Sequence, residues 1–420
     1  MSGRITSNIL TSNYLRNMRR NLGNMKTLQN QLASGKEINK ASENPYRASR
    51  SMQLHADISY NKQYNENIKD TSNWLDTTDT ALSQIGNVFG RIETLLVNAG
   101  NGAFGPDERT AIQDEVKEKV NELSQILNTS FDGSYIFGGT KTDSKPTTVV
   151  NGVLKYANKG GDGITKTSSG MNIDLSVNPI ISSVTPVNNK KIEGIVKSGN
   201  NVTITIKDYS TATPTSSTTN SIDLTTLGTG TPAKTIESLF NDAINPTSPG
   251  TANFTAGDIS KVVSSYNDSY NALNQIDSKL EVDISQGVKS TYNKTAVNVL
   301  EFTDKTGSSI DVSDLLDNII KDLGAGGTTS NLTTTHLKNI QSVTANLLQQ
   351  RSEVGSMQNR MDSAKENNET QNYNMTDILS KTEDIDFSEK VMDYSMMQTI
   401  YTASLQTSAK ILPMTILTYL

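Results

Sequence analysis

The side chains able to do chemistry are few in this 420-residue chain, and their spacing argues against a reaction centre. There are two histidines, His55 and His336, and no cysteine. The histidines fall on separate predicted helices, neither inside a His-Glu-x-x-His run nor four residues from a second ligand, so both read as structural. Without cysteine there is no disulfide framework, thiolate metal site or catalytic thiol. Gly160-Gly161-Asp162-Gly163 has the glycines of a phosphate or calcium loop but lacks the following Lys-Ser/Thr and the spaced acids, so it reads as a turn. No Gly-x-Ser-x-Gly elbow occurs, and no nucleophile, base and orienting group form a constellation. Neither an enzyme activity nor a cofactor or metal is expected.

What the spacing does organise is charge. Up to Lys36 the chain carries Arg4, Arg16, Arg19, Arg20, Lys26 and Lys36 and no acid, while Glu383, Asp384, Asp386, Glu389 and Asp393 cluster near the other end. A basic, Ser-containing, acid-poor start also fits a mitochondrial transit peptide. The plainer reading is that the ends face each other, with Arg16, Arg19 and Arg20 near Asp384, Asp386, Glu389 or Asp393, within a chain or between neighbours. The net charge of −6 argues against nucleic acid as the main partner. No apolar run follows the first basic residue, so no cleaved signal peptide is expected. The apolar stretch 411–420 contains Pro413 and is too short to span a bilayer, so membrane insertion is not expected.

The elements that carry these charges follow from apolar periodicity. Leu75, Thr78, Leu82, Ile85, Phe89, Ile92 and Leu96 alternate by three and four, and so do Ile340, Val343, Leu347, Gln350, Val354, Met357 and Met361. That is the period of a coiled-coil seam, which needs a partner helix. His336 extends the second seam by one step, and Trp74, one residue before Leu75, reads as a large side chain on the bundle's flank. The two seams are expected to pair within the chain. Leu15, Met18, Leu22, Met25 and Leu32 form a narrower stripe near the start; Val391, Tyr394, Tyr401, Leu405 and Leu412 form one near the end, interrupted by Gln398 and Ser408. An isolated helix of this kind is marginal in water, so these stripes are read as surfaces for assembly.

Helices are expected over 5–34, stopped by Gly35, then from Asn44-Pro45 to about Gly100, then from Gly105-Pro106 to near Asp132-Gly133. From Tyr135 the chain becomes rich in Gly, Thr, Ser and Asn. A strand is expected at 172–177, a hairpin from 191–197 and 202–207, a loop at 211–220, and helical patches at 235–244 and 258–280. Strands at 281–288 and 298–302 and a helix at 311–323 follow. Beyond Gly324 a long C-terminal helix restarts near Ser380, whose spacing to Glu383 suits a capping box, and kinks or ends at Pro413. Hydrophobic residues at 34% and aromatics at 5% are thin for one globule of this length and favour layers with narrow seams. The fold class is α+β: long terminal helices forming a coiled-coil or helical bundle, with an inserted β-rich outer lobe. Three parts are expected: 1–45 with 381–420 as terminal assembly helices, 46–145 with 282–380 as a bundle with a few strands, and 146–281 as the outer lobe.

Several segments resemble the flagellar hook-associated protein 3 family within the flagellin superfamily. They are Arg4-Ile5-Thr6, Ser34-Gly35-Lys36, Ser42-Glu43-Asn44-Pro45, Tyr135-Ile136-Phe137-Gly138-Gly139 with Lys141-Thr142, Gln350-Arg351-Ser352-Glu353-Val354-Gly355, and Asp384-Ile385-Asp386-Phe387-Ser388-Glu389. Pro45 stands where flagellins usually close with a small Ala-Gly pair, and the Met1-Ser2-Gly3 start departs from the family's usual Met-Arg-Ile. The resemblance implies a structural adaptor at the hook–filament junction of the bacterial flagellum. It implies a ring of copies between the first hook-associated protein and flagellin, type III export, and an export chaperone on the C-terminal segment. The alternatives are flagellin itself, the filament subunit, or a secreted coiled-coil adhesin or effector.

Overall fold

The computed structural model describes residues 7–100, 105–167, 170–176, 178–181, 190–208, 215–218, 221–229, 233–244, 254–324 and 326–416. Arg4-Ile5-Thr6 and parts of the expected loop 211–220 lie outside these residues. In chain order, α1 (Ser7–Ser34), α2 (Pro45–Ala99) and α3 (Pro106–Leu127) precede β1 (Ser130–Phe131) and β2 (Ser134–Tyr135). Next come β3 (Thr147–Val150), β4 (Val153–Ala157), β5 (Gly163–Thr167), β6 (Gly170–Asp174), β7 (Ile180–Ile181) and β8 (Lys190–Ser198). Then follow β9 (Asn201–Asp208), β10 (Thr215–Thr218), β11 (Ile222–Asp223), α4 (Ile236–Ile244) and α5 (Ala256–Ile276). After these come β12 (Glu281–Ser285), β13 (Val288–Thr291), α6 (Ala296–Leu300), β14 (Glu301–Thr303), β15 (Ser309–Asp311) and α7 (Val312–Leu323). The short α8 (Thr329–Asn331), a π-helical turn (Leu332–His336), α9 (Leu337–Glu383) and α10 (Phe387–Ile416) complete the chain. The fold is α+β, with long terminal helices and a sheet-rich middle of the chain.

Two compact units result, Met1–Glu66 with Ser285–Gly287 and Ser363–Leu420, and Asn67–Ile284 with Val288–Asp362. The expected outer lobe, 146–281, falls in the second unit together with α3 and α7. In that unit β3 and β4 pack on α3, and α7 packs on β4. Tyr156 Oη donates to Glu301 Oε1 at 2.8 Å and Ser313 Oγ donates to the Leu154 carbonyl, which tie β4 to the segment beyond it.

The middle is one antiparallel sheet in the order β10-β9-β8-β6-β5-β4-β3, with β7 on β8 and β11 on β9. Its buried face carries Leu154, Tyr156, Ile164, Met171, Ile173, Ile192, Ile195, Val202, Ile204 and Ile206, the alternation that pleating imposes, with a register shift between Ile192 and Gly194 that keeps Ile192 and Ile195 on one face. Helix α5 packs on β4, β6 and β7, and its Tyr266 ring lies 5.4 Å from Phe240 of α4.

Where the sequence reading and the structure differ, local hydrogen bonding explains it. Helix α3 ends at Leu127, not near Asp132-Gly133, because Asp132 (φ 49°) and Gly133 (φ 77°) form the two-residue turn between β1 and β2. Within the expected loop 211–220, Thr215–Thr218 is a strand paired to the edge of β9. Residues 298–300 are helical, since Thr295 Oγ1 accepts from Asn298 N while Asn298 Oδ1 accepts from Thr295 N. The cap expected at Ser380 falls instead at Asp386, whose Oδ1 accepts from Ser388 N and Glu389 N at 2.9 and 3.1 Å. Helix α9 runs through Ser380 to Glu383. Helix α10 continues past Pro413 to Ile416; in a last turn the missing N–H removes a single bond.

Candidate assembly interface

Within the second unit α2 and α9 lie antiparallel. Arg351 donates from Nε and Nη2 to Asp79 Oδ1 and Oδ2 at 2.9 and 3.0 Å, Gln358 to Asp76 at 2.7 Å, and Gln341 to Glu93 at 3.0 Å. That register sets Leu75 level with Met357, Ile85 with Leu347, Phe89 with Val343, Ile92 with Ile340, and Leu96 with His336. Leu75, Leu82, Ile85, Phe89, Ile92, Leu96, Ile340, Val354 and Met361 are fully buried, Leu347 nearly so, and Met357 is half-buried. Each large apolar side chain so buried stabilises by about 1.5–3 kcal/mol. The Arg351–Asp79 pair, over a third exposed, adds at most about 1 kcal/mol and chiefly fixes register. His336 is buried with Nε2 2.8 Å from Asp322 Oδ2. Trp74 is also buried, against Phe131 and Tyr292.

The family-like segments prove to be positioning devices. In Gln350–Gly355, Arg351 holds Asp79, Glu353 receives the buried Lys294, and Val354 sits in the core. In Tyr135–Gly139, Ile136 and Phe137 are fully buried, and Gly139 has φ +59°. A Cβ at Gly139 would lie 2.1 Å from the Gln275 carbonyl oxygen, which accepts from Thr140 N at 2.9 Å. Lys141 is buried and donates to the carbonyls of Lys145 and Ala157 at 2.5 and 2.8 Å, pinning both sides of the β3–β4 hairpin. Burial pushes its ammonium down to about 8. Asn44 Oδ1 accepts from Arg47 N at 3.1 Å, opening α2 with Pro45 in its first position. Gly35, at φ +70°, ends α1 in the left-handed conformation that favours glycine.

In the first unit α1 and α10 pair antiparallel, with Tyr14 Oη donating to the Ser404 carbonyl. Their base is a joint. Lys36 and Asp384 form an antiparallel bridge, Glu37 N donates to Glu383 O at 2.6 Å, and Ile385 N donates to Gly35 O at 3.2 Å. The Glu383 carboxylate takes Lys36 Nζ at 2.6 Å and the Ser51 hydroxyl, and His55 Nε2 lies 3.0 Å away. Asp384 takes Lys36 at 2.9 Å and Ser380 Oγ at 2.6 Å. Hydrogen bonds to Glu383 and then Asp384 raise the Lys36 ammonium, and those from Ser380 and then Lys36 lower the Asp384 carboxyl. Two segments that lie far apart in sequence, Ser34–Lys36 and Asp384–Asp386, thus form one structural element. Sequence reading missed Glu383, Ser51 and His55 as its members, because their proximity is purely tertiary.

Above the joint the pair is thinly packed. Leu15, Leu22, Val391 and Leu405 are exposed, as are Ile9, Met392, Met396 and Ile400; Met18, Met25, Leu32, Tyr394 and Tyr401 are half-buried. The Leu412 side chain lies outside the described residues. Among the described residues of this unit the buried apolar side chains are Leu54 and Leu379, each at 9%. The pairings Tyr14–Ser404 and Lys36–Asp384 set Arg16, Arg19 and Arg20 level with roughly 398–403, and Asp386, Glu389 and Asp393 level with roughly 26–34. The expected pairing of the arginines with these acids is therefore not made within the chain: all three arginines are exposed, and the described residues give them no ion pair.

Among the described residues no three His, Asp or Glu side chains group as metal ligands, and no helix is long and apolar enough to cross a membrane. Residues 5–142 match the family model of the bacterial flagellin N-terminal helical region, and residues 337–420 that of its C-terminal helical region, together more than half of the chain. The chain belongs to the flagellin family. It is 25% identical over 397 residues to a flagellin of Clostridium tyrobutyricum, covering 93% of this chain and 94% of that one. It is 28% identical over 120 residues to the flagellar hook-associated protein 3 of Salmonella typhimurium, covering 28% of this chain and 38% of that protein's length. The crystal structure of the hook-associated protein from Legionella pneumophila aligns at 16% identity with a TM-score of 0.39, over 79% of this chain and 98% of that one.

Proposed function

We propose that the chain is a structural, non-enzymatic subunit of the bacterial flagellum at the hook–filament junction. The observation that carries this reading is the α1–α10 pair, tied at its base by Glu383 yet leaving Leu15, Leu22, Val391 and Leu405 exposed along its length. Such a pair is completed by copies of itself, each presenting one surface to a different surface of the next, as in a ring. Residues 1–45 and 381–420 are the assembly segment, 46–145 with 282–380 the bundle, and 146–281 the outer lobe. Arg16, Arg19 and Arg20 meet acidic side chains of neighbouring copies. The ring sits between the first hook-associated protein and flagellin, and a chaperone holds the C-terminal segment during export without a cleaved signal. Pro45, opening α2 where flagellins carry a small-residue pair, and the Tyr135–Gly139 segment favour the junction role.

A second reading, the bulk filament subunit, is favoured by the near full-length alignment with the Clostridium tyrobutyricum flagellin. Immunogold labelling of intact flagella with antibody to residues 146–281 separates the two. Junction subunits give one band beside the hook, and filament subunits give label along the whole filament. Label along the filament overturns the junction reading. A deletion strain is expected to bear bare hooks and to release unassembled flagellin into the medium.

A further inference from the structure

Trp74 is the sole tryptophan of the chain and stands in the wall of a cavity of about 560 Å³ in the second unit. It is 8% exposed, and its indole N–H has no hydrogen-bond partner among the described residues. Phe131 and Tyr292 share the wall, their rings 6.1 and 5.8 Å from Trp74 and inclined to it at 81° and 83°. Asp70, Asp132 and Glu281 are also in the lining; they are exposed, and none meets a cation among the described residues. Aromatic faces and carboxylates together give a negative potential, and the complement is a cation. The indole N–H requires an acceptor as well. A bare metal ion or a quaternary ammonium would answer the carboxylates and rings but leave that donor unmatched.

We propose that this cavity receives an arginine side chain from α1 of a second copy of the chain. A guanidinium stacks on aromatic faces and donates in a plane to carboxylates, which an ammonium does less well. Residues three apart on a helix share a face, so Asn17 with Arg20, and Asn13 with Arg16, each present a guanidinium beside an amide oxygen able to accept from the indole. Arg16, Arg19 and Arg20 are exposed, and none has an ion pair among the described residues. By contrast Arg47, Arg91 and Arg351 are held by Glu37, Glu115 and Asp79. The choice of a second copy as the donor rests on the assembly reading above.

Trp74 fluorescence in the purified full-length chain reports occupancy without a label. The chain is titrated at low salt with a synthetic peptide of residues 13–27, and with the same peptide carrying Arg16→Gln, Arg19→Gln and Arg20→Gln. The native peptide is expected to change the emission saturably, with the effect fading as salt rises, and the glutamine peptide to leave it unchanged. A chain carrying Asp132→Asn and Glu281→Gln is expected to bind the native peptide at least about fivefold more weakly. Asn tolerates the left-handed conformation of position 132, and circular dichroism checks that the variant is folded. An unchanged emission with the native peptide, an equal response to the glutamine peptide, or undiminished binding by the acid-depleted chain overturns the proposal. Because the titration uses isolated protein, a filament-wide immunogold label would sink the junction reading and leave this result standing.

Discussion

Replacing Glu383 with alanine should open the joint between α1 and α10 while leaving the second unit intact. Its carboxylate is 14% exposed and gathers Lys36, Ser51 and His55, so the loss removes three contacts to a charged acceptor. Fully buried, such contacts are worth about 1.5–3 kcal/mol each; with Lys36 and His55 largely in solvent, about 2 kcal/mol for the set is the appropriate scale. Local opening should then become about thirtyfold more frequent, since about 1.4 kcal/mol is a factor of ten. Native-state hydrogen exchange at the Glu37 and Ile385 amides reads this directly, because both bonds close the joint. Glu383→Gln, which keeps an acceptor for Ser51 but removes the charge, should give an intermediate acceleration. Exchange changed by less than about threefold, or an equal loss of protection across the α2–α9 seam, would refute the assignment of these contacts to a local joint.

Three further outcomes follow from the geometry. Burial, followed by the Asp314 charge, pushes the Asp311 carboxyl up to about 6, so the folded state binds its proton more tightly and stability falls as pH rises from about 4 to 6. The full shift corresponds to about 3 kcal/mol, reduced to about 1–2 kcal/mol because the group is partly exposed; Asp311→Asn should abolish that slope and raise the urea midpoint at pH 7. Gly139→Ala should destabilise the second unit by about 3 kcal/mol or more in urea denaturation, because the left-handed backbone and the 2.1 Å approach to the Gln275 carbonyl oxygen act together. Leu15→Asp with Leu22→Asp should leave monomer stability within about 0.5 kcal/mol, both positions being exposed, yet abolish motility in a complementation assay.

Much of the architecture was legible because it rests on local rules. The seam from Leu75 to Leu96, the stop at Gly35, the cap at Asn44 and the β8–β9 hairpin each carry their own sequence signal. Two hairpins passed unread although their turns were written plainly: Asp132-Gly133 and Asn151-Gly152 have the positive φ angles that such dipeptides favour. The strand Thr215–Thr218 had no comparable signal, since a Ser/Thr-rich run becomes a strand only when an edge such as β9 is there to pair with it. The terminal stripes were readable as incompletely buried, but not the register. Only the bonds of Tyr14 and Lys36 reveal that α1 and α10 align the arginines away from the acids.

The bond between Tyr14 and Ser404 spans 390 residues of sequence, which constrains the order in which the molecule can fold. The hairpins of the sheet close over a few residues, whereas closing so long a loop from a disordered chain costs about 4–5 kcal/mol more in entropy. The α2–α9 seam changes that balance, since Asn61 and Gln371, already in contact, shorten the remaining loop to the two terminal arms. The first helix of the chain is therefore the last to find its partner. A kinetic experiment should see the sheet and seam acquire protection before any amide of the α1–α10 pair.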